Sequence, residues 1–149
     1  DIDFYQKIVK DYPILLLEDP FGEEEWGRWQ KLNAKLKIQN PKILIVGDDL
    51  TVTKPQRIRV AQKKRACNAV IIKPNQIGTV SEAIEAAKIA RSYGWKVIVS
   101  HRSGETKDDF ISDFAVGIGA DFIKAGAPSK PERIAKYNRL LKIEKEISY

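Results

Sequence analysis

The sequence contains no methionine, a single cysteine, and no apolar stretch near the ~20 residues of a membrane-spanning helix. Without methionine the chain does not begin at its own start codon, so a processed product, a fragment or a truncated form is expected. The lone Cys67 excludes an internal disulfide and suits a reducing cytoplasm. Its place just before the apolar run Ala69–Ile72 suggests a small buried residue rather than a reactive thiol. No signal-peptide pattern opens the chain, and no linker or low-complexity stretch interrupts it, so a single domain over residues 1–149 is expected. At 149 residues it is also short of the ~250 that a complete eight-stranded β/α barrel takes. The formal charge of +6 would suit nucleic acid, but the basic residues are interspersed with acids along helices, as in Lys142-Ile143-Glu144-Lys145-Glu146. The densest cluster, Gln62-Lys63-Lys64-Arg65, falls at a helix C-terminus, where positive charge complements the helix dipole. Neither nucleic acid nor a membrane is therefore an expected partner.

What the chain does have is a repeat of function-bearing positions. Five short apolar runs end at Glu18, Asp48, Lys73, Ser100-His101-Arg102 and Lys124, separated by steps of 30, 25, 27 and 24 residues. One strand, one helix and two loops occupy about that much chain in a parallel α/β protein. The runs lack polar alternation, which predicts strands buried on both faces. Parallel strands present their C-terminal ends on one face, so two carboxylates, two lysines and a His-Arg pair are expected to gather there.

Between the strands the periodicity predicts helices over residues 1–11, 22–36, from about 53, 79–91, 110–118 and from about 129. Strands are predicted at 14–17, 43–46, 69–72, 97–99 and 121–123. Thr53-Lys54-Pro55-Gln56, Thr79-Val80-Ser81-Glu82 and Ser129-Lys130-Pro131-Glu132 read as capping boxes. Pro74 argues against regular helix over residues 73–76, and Trp26 with Trp29 reads as a core-facing stripe.

Glu18 and Asp48 end neighbouring strands and suit a shared hard cation such as magnesium, which prefers oxygen ligands; the plainer alternative is that both are turn or cap residues. A lysine at the end of a buried strand needs partners. For Lys73 and Lys124, a neighbouring cation favours the neutral amine that a base requires. Ser100, His101, Arg102 and Ser103, followed by Gly104, supply hydroxyls, a forked guanidinium and a flexible backbone fit to hold a phosphate.

Taken together, Leu17-Glu18-Asp19-Pro20-Phe21, Gly47-Asp48-Asp49-Leu50-Thr51-Val52-Thr53, Lys73-Pro74-Asn75-Gln76-Ile77-Gly78-Thr79, Ser100-His101-Arg102-Ser103-Gly104-Glu105-Thr106 and Lys124-Ala125-Gly126-Ala127-Pro128 closely resemble enolase (phosphopyruvate hydratase). The likeness extends through Glu132-Arg133-Ile134-Ala135-Lys136-Tyr137-Asn138 and so covers nearly the whole chain. Ser129 and Pro74 depart from the usual pattern, both beside the chemistry rather than in it.

The resemblance implies the C-terminal portion, about five βα units, of an enolase-type TIM barrel, incomplete as an isolated α/β chain. It implies a cytoplasmic lyase of glycolysis that interconverts 2-phosphoglycerate and phosphoenolpyruvate with magnesium. Glu18 and Asp48 would be metal ligands and Lys73 the general base. Lys124 would bind the substrate carboxylate, Arg102 and Ser103 (beside Ser100) the phosphate, and His101 would lie near the leaving hydroxyl. A Lys base with magnesium in this superfamily is an established pattern. The family's third ligand, its proton-donating glutamates and its N-terminal capping domain fall before residue 1, so the isolated chain is expected to be catalytically incomplete. Open barrel edges would favour self-association or pairing with the missing part. Two alternatives remain: a different superfamily dehydratase, and a non-catalytic fragment serving as an assembly module.

Overall fold

A computed structural model describes residues 1–148. It divides into two compact units, Asp1–Lys96 and Val97–Tyr149. Both are built from βα repeats, the α/β class that the spacing predicts.

The first unit holds α1 (Ile2–Asp11), β1 (Leu16–Glu18), α2 (Trp26–Gln39), β2 (Leu44–Gly47), α3 (Pro55–Lys64), β3 (Ala69–Ile72), α4 (Pro74–Ile77) and α5 (Val80–Ser92). Its strands pair in parallel, β1 with β2 through Leu16↔Leu44 and β2 with β3 through Val46↔Ala69. As expected, β2 and β3 are buried at every residue. β1 is only half-buried, because β2 is its one strand partner among the described residues. Helix α2 buries Trp29, Leu32 and Leu36 on one face, and α5 buries Ala83, Ala86, Ala87 and Ala90. Cys67 is buried, which pushes its thiol pKa up and keeps it inert.

The second unit contains β4 (Lys96–Ser100, starting at the boundary), α6 (Phe110–Gly117), β5 (Phe122–Lys124) and α7 (Pro131–Ile147). β4 and β5 are parallel, with Ser100 opposite Lys124. β5 is largely exposed, against the expectation of two buried faces, since β4 is its one partner among the described residues.

The two units share a device for setting register. Asn68, just before β3, accepts from the Ile45 amide (2.7 Å) and donates to the Ile43 carbonyl (3.1 Å). Asp121, just before β5, accepts from the Val97 amide (3.0 Å). In each case a short polar side chain completes the neighbouring strand's ladder at the end remote from the chemistry and fixes which residues stand opposite one another.

Three local expectations are corrected. Of the capping boxes, only Thr79 caps its helix, accepting from the Glu82 amide at 3.2 Å. At the other two, Pro55 and Pro131 take the first helical position, which makes the preceding Lys54 and Lys130 the caps, without side-chain bonds. Residues 74–77 do form one helical turn, α4, because proline at the first position gives up an amide the helix does not need. Finally, Trp26 is only half-buried and lies under Arg57 and Lys64, 5.0 and 5.8 Å from its ring centroid, whereas Trp29 is fully in the core. No described helix is long and apolar enough to cross a membrane.

Candidate functional site

In the first unit, the ends of β1, β2 and β3 bring acids and a lysine together. Glu18 pairs in register with Val46, two residues before Asp48. Asp19 turns out of β1 with a left-handed φ of 39°. Its two carboxylate oxygens accept the Asp48 amide (2.9 Å) and the Asp49 amide (2.7 Å), so one side chain staples the ends of β1 and β2. Asp19, Asp48 and Asp49 offer carboxylate oxygens within 4.8 Å of one another. Burial raises the Asp19 pKa; its two amide bonds oppose that shift, and the charges of Asp48 and Asp49 add to it. An open cavity of about 480 Å³ borders this cluster, lined by Asp19, Pro20, Phe21, Arg28 and Asp49 among others.

Asp48, expected as a metal ligand, and Lys73, expected as a base, form an ion pair that the sequence does not specify. Lys73 Nζ lies 2.6 Å from Asp48 Oδ2, with the two side chains only 13% and 9% exposed. The other oxygen, Asp48 Oδ1, is buried and has no hydrogen-bond partner. A buried carboxylate oxygen left unsatisfied is costly, and a hard cation is the kind of group that would satisfy it. The residues present therefore fit a divalent metal, which Asp48 Oδ1 would be placed to contact.

Backbone strain surrounds this pair. Val52 and Thr53, both β-branched, hold positive φ values of 43° and 57°, a conformation that costs about 1–3 kcal/mol per residue. The turn has a function at Thr53, whose hydroxyl accepts the Lys73 amide (2.9 Å) and donates to Gln76 Oε1 (2.8 Å). Thr53 thus positions the base candidate rather than capping α3.

In the second unit, Ser100 ends β4 buried, and its hydroxyl donates to the His101 carbonyl at 3.0 Å. The His101 amide donates to the Lys124 carbonyl at 2.9 Å, which joins the two loops that follow β4 and β5. Arg102, Ser103 and Lys124 are exposed at these strand ends. The loop from His101 to Thr106 is held from α7. Arg133 Nη1 contacts His101 Nδ1 and donates to the Arg102 carbonyl (3.0 Å), while Nη2 donates to the Ser103 carbonyl (2.9 Å). Lys136, fully buried, binds Glu105 Oε2 (2.8 Å) and the Thr106 carbonyl (2.7 Å). Glu105 in turn accepts the Arg102 amide at 2.8 Å.

Desolvation lowers the His101 pKa; Arg133, Lys124 and Lys136 lower it further, against an opposing pull from Glu105. Because the folded value lies below the unfolded ~6.5, the unfolded state binds more protons in that window. The stabilising contribution is present above pH ~6.5 and is lost as pH falls through the folded value. Urea unfolding from pH 7.5 to 5 is expected to show this decline, and His101→Gln to flatten it. A decline of the same size in the variant would assign it to other groups.

The sequence marks Glu18, Asp48 and Lys73 as strand-end residues but singles out neither Asp19 nor the Asp48–Lys73 pairing. Nor does it single out Arg133 and Lys136, which a helical pattern alone presents as ordinary surface cations. Residues 2–149 match the family model described as enolase, C-terminal TIM barrel domain.

Proposed function

This chain belongs to the enolase C-terminal TIM barrel family, and we propose that its chemistry is the dehydration of 2-phosphoglycerate to phosphoenolpyruvate. The carrying observation is the Asp48–Lys73 pair: one carboxylate oxygen holds the lysine, and the other is buried without a partner. Lys73 takes the proton from the carbon next to the substrate carboxylate, and Asp48 stabilises the ammonium that results. Glu18 and Asp48, with Asp19 holding the strand ends in place, are the residues that would hold magnesium. When bound there, the ion supplies Lewis-acid neutralisation of the substrate carboxylate. Lys124 adds a second positive charge for that carboxylate. Arg102 and Ser103 are assigned the phosphate, and His101 the hydroxyl that leaves.

Within these 149 residues no group is assigned the proton donation to that hydroxyl. We therefore expect the chain alone to bind substrate but turn it over weakly, with activity returning on association with the rest of the barrel. Calorimetry in magnesium tests the reading, comparing 2-phosphoglycerate with the same hydroxy acid lacking phosphate. Binding of the phosphorylated acid alone, with phosphoenolpyruvate absorbance appearing once the N-terminal part is added, is expected. Equal or preferential binding of the non-phosphorylated acid would instead point to another dehydratase of the superfamily.

A further inference from the structure

Outside the strand ends, Arg133, in the first turn of α7, concentrates its side-chain polar contacts on one loop. Its planar fork meets three successive residues of one loop: the His101 ring, the Arg102 carbonyl and the Ser103 carbonyl. We propose that Arg133 is a positioning residue for this loop, tying down both carbonyls and fixing His101 as the tautomer with its proton on Nε2. The loop's role as a phosphate holder rests on the function proposed above; the tautomer does not.

Two physical arguments support this. A guanidinium carries only donors, so the His101 nitrogen facing it must offer a lone pair. With Nδ1 as acceptor, the ring proton resides on Nε2, and His101 presents a neutral N–H donor on its other side. The second argument concerns the carbonyls. Oxygens directed toward an arriving phosphate repel it; those of Arg102 and Ser103 are instead occupied by Arg133, which turns the loop's partial negative charge toward α7. A lysine at 133 would keep the charge but lose the fork that matches two adjacent carbonyls.

The surroundings are consistent with a built device. A Cβ at Gly126 (φ 82°) would lie 3.1 Å from Arg133 Cδ and 3.3 Å from His101 Cε1, so the loop after β5 must be bare there for Arg133 to reach across. One turn along α7, the Tyr137 hydroxyl donates to the Gly126 carbonyl and holds that bare segment in place. The charged groups facing His101 are Arg133 and Lys136 from α7, Lys124 from β5 and Glu105 from its own loop.

His101 is the only histidine, so nitrogen NMR of the ¹⁵N-labelled chain reads one imidazole. At pH 7.5 the wild type is expected to show a single Nε2–H tautomer with Nδ1 as acceptor. Arg133→Met is expected to give a tautomer mixture and a titration midpoint shifted up toward the ordinary ~6.5. Arg133→Lys, which is milder and keeps the charge, is expected to weaken inorganic phosphate binding about five- to tenfold through loss of one or two hydrogen bonds, with unchanged far-ultraviolet circular dichroism. A wild-type ring protonated on Nδ1, or an Arg133→Met spectrum and midpoint identical to wild type, would overturn the proposal. The expected tautomers, with no response of any chain to phosphate, would uphold Arg133's positioning of His101 and remove the phosphate reading instead.

Discussion

Replacing Lys73 with methionine is expected to lower the unfolding free energy by about 3–5 kcal/mol, because it strands the buried Asp48 charge without a counter-ion. Asp48 would then have neither its 2.6 Å partner at Oδ2 nor any partner at Oδ1. The double variant Lys73→Met/Asp48→Asn is expected to recover much of the loss, since it removes both charges together. Urea unfolding in chelator at pH 7.5 measures both effects. A single-variant loss below about 1 kcal/mol would mean that Asp48 is reached by water and that the pair behaves like a surface ion pair. In an assay of the proposed dehydration the same substitution is expected to cost about 10²–10⁴ in rate, the range of a lost general base. Unchanged turnover would remove Lys73 from that role.

Lys136→Met is expected to have a comparable effect in the second unit, again about 3–5 kcal/mol, for the same electrostatic reason. Lys136 has no exposed surface, and its partner Glu105 is only 15% exposed. Burial pushes the Glu105 pKa up, but the bond from Lys136, the Arg102 amide and the charges of Lys136 and His101 outweigh it and leave the pKa below the ordinary value. A carboxylate depressed in the fold contributes stability above its unfolded ~4.3, and that stability is lost as pH falls through the folded value. Unfolding between pH 5 and 3 should therefore show acid sensitivity in the wild type and little from this group in Lys136→Met. Glu105→Gln provides the control, since it should remove the same pH dependence from the other side. The contrast with Arg139 decides which ion pairs count: Arg139 bonds Asp113 and Glu146 at 2.6 and 3.1 Å, but those acids are 44% and 58% exposed. Arg139→Ala is accordingly expected to change stability by less than about 1 kcal/mol. A larger effect there would undo the burial argument for Lys136 as well.

Much of this molecule is written locally. Apolar runs of three or four residues, broken by polar segments and followed by helical periodicity, identify the five strands in chain order, with all ends but those of β3 shifted by one or two residues. Residues 69–72 are legible to the residue because Lys73-Pro74 follows Ile72, and the proline cannot continue a central strand. The spacing of strand ends likewise points to Asp48 and Lys73, though not to their ion pair, which depends on β2 and β3 being parallel neighbours. The family resemblance rested on the same ordered segments, and the match over residues 2–149 agrees with it.

Other features depend on partners distant in the chain, and no local pattern encodes them. Whether Thr53 caps a helix or bonds the Lys73 amide is settled by a strand 20 residues away. Asp19 looks like a turn residue beside Pro20 until β2 supplies the two amides, 29 and 30 positions on, that its carboxylate binds. Arg133 and Lys136 share one helix face with residues that remain exposed; what distinguishes them is the loop 30 to 32 residues earlier that packs onto that face. Backbone conformation responds to immediate neighbours through sterics and proline or glycine restriction, so elements and their order are legible in one dimension. Desolvation and hydrogen-bond partnership depend on what folds against a side chain, and they alone turn an ordinary lysine, aspartate or arginine into a fixed part of a site.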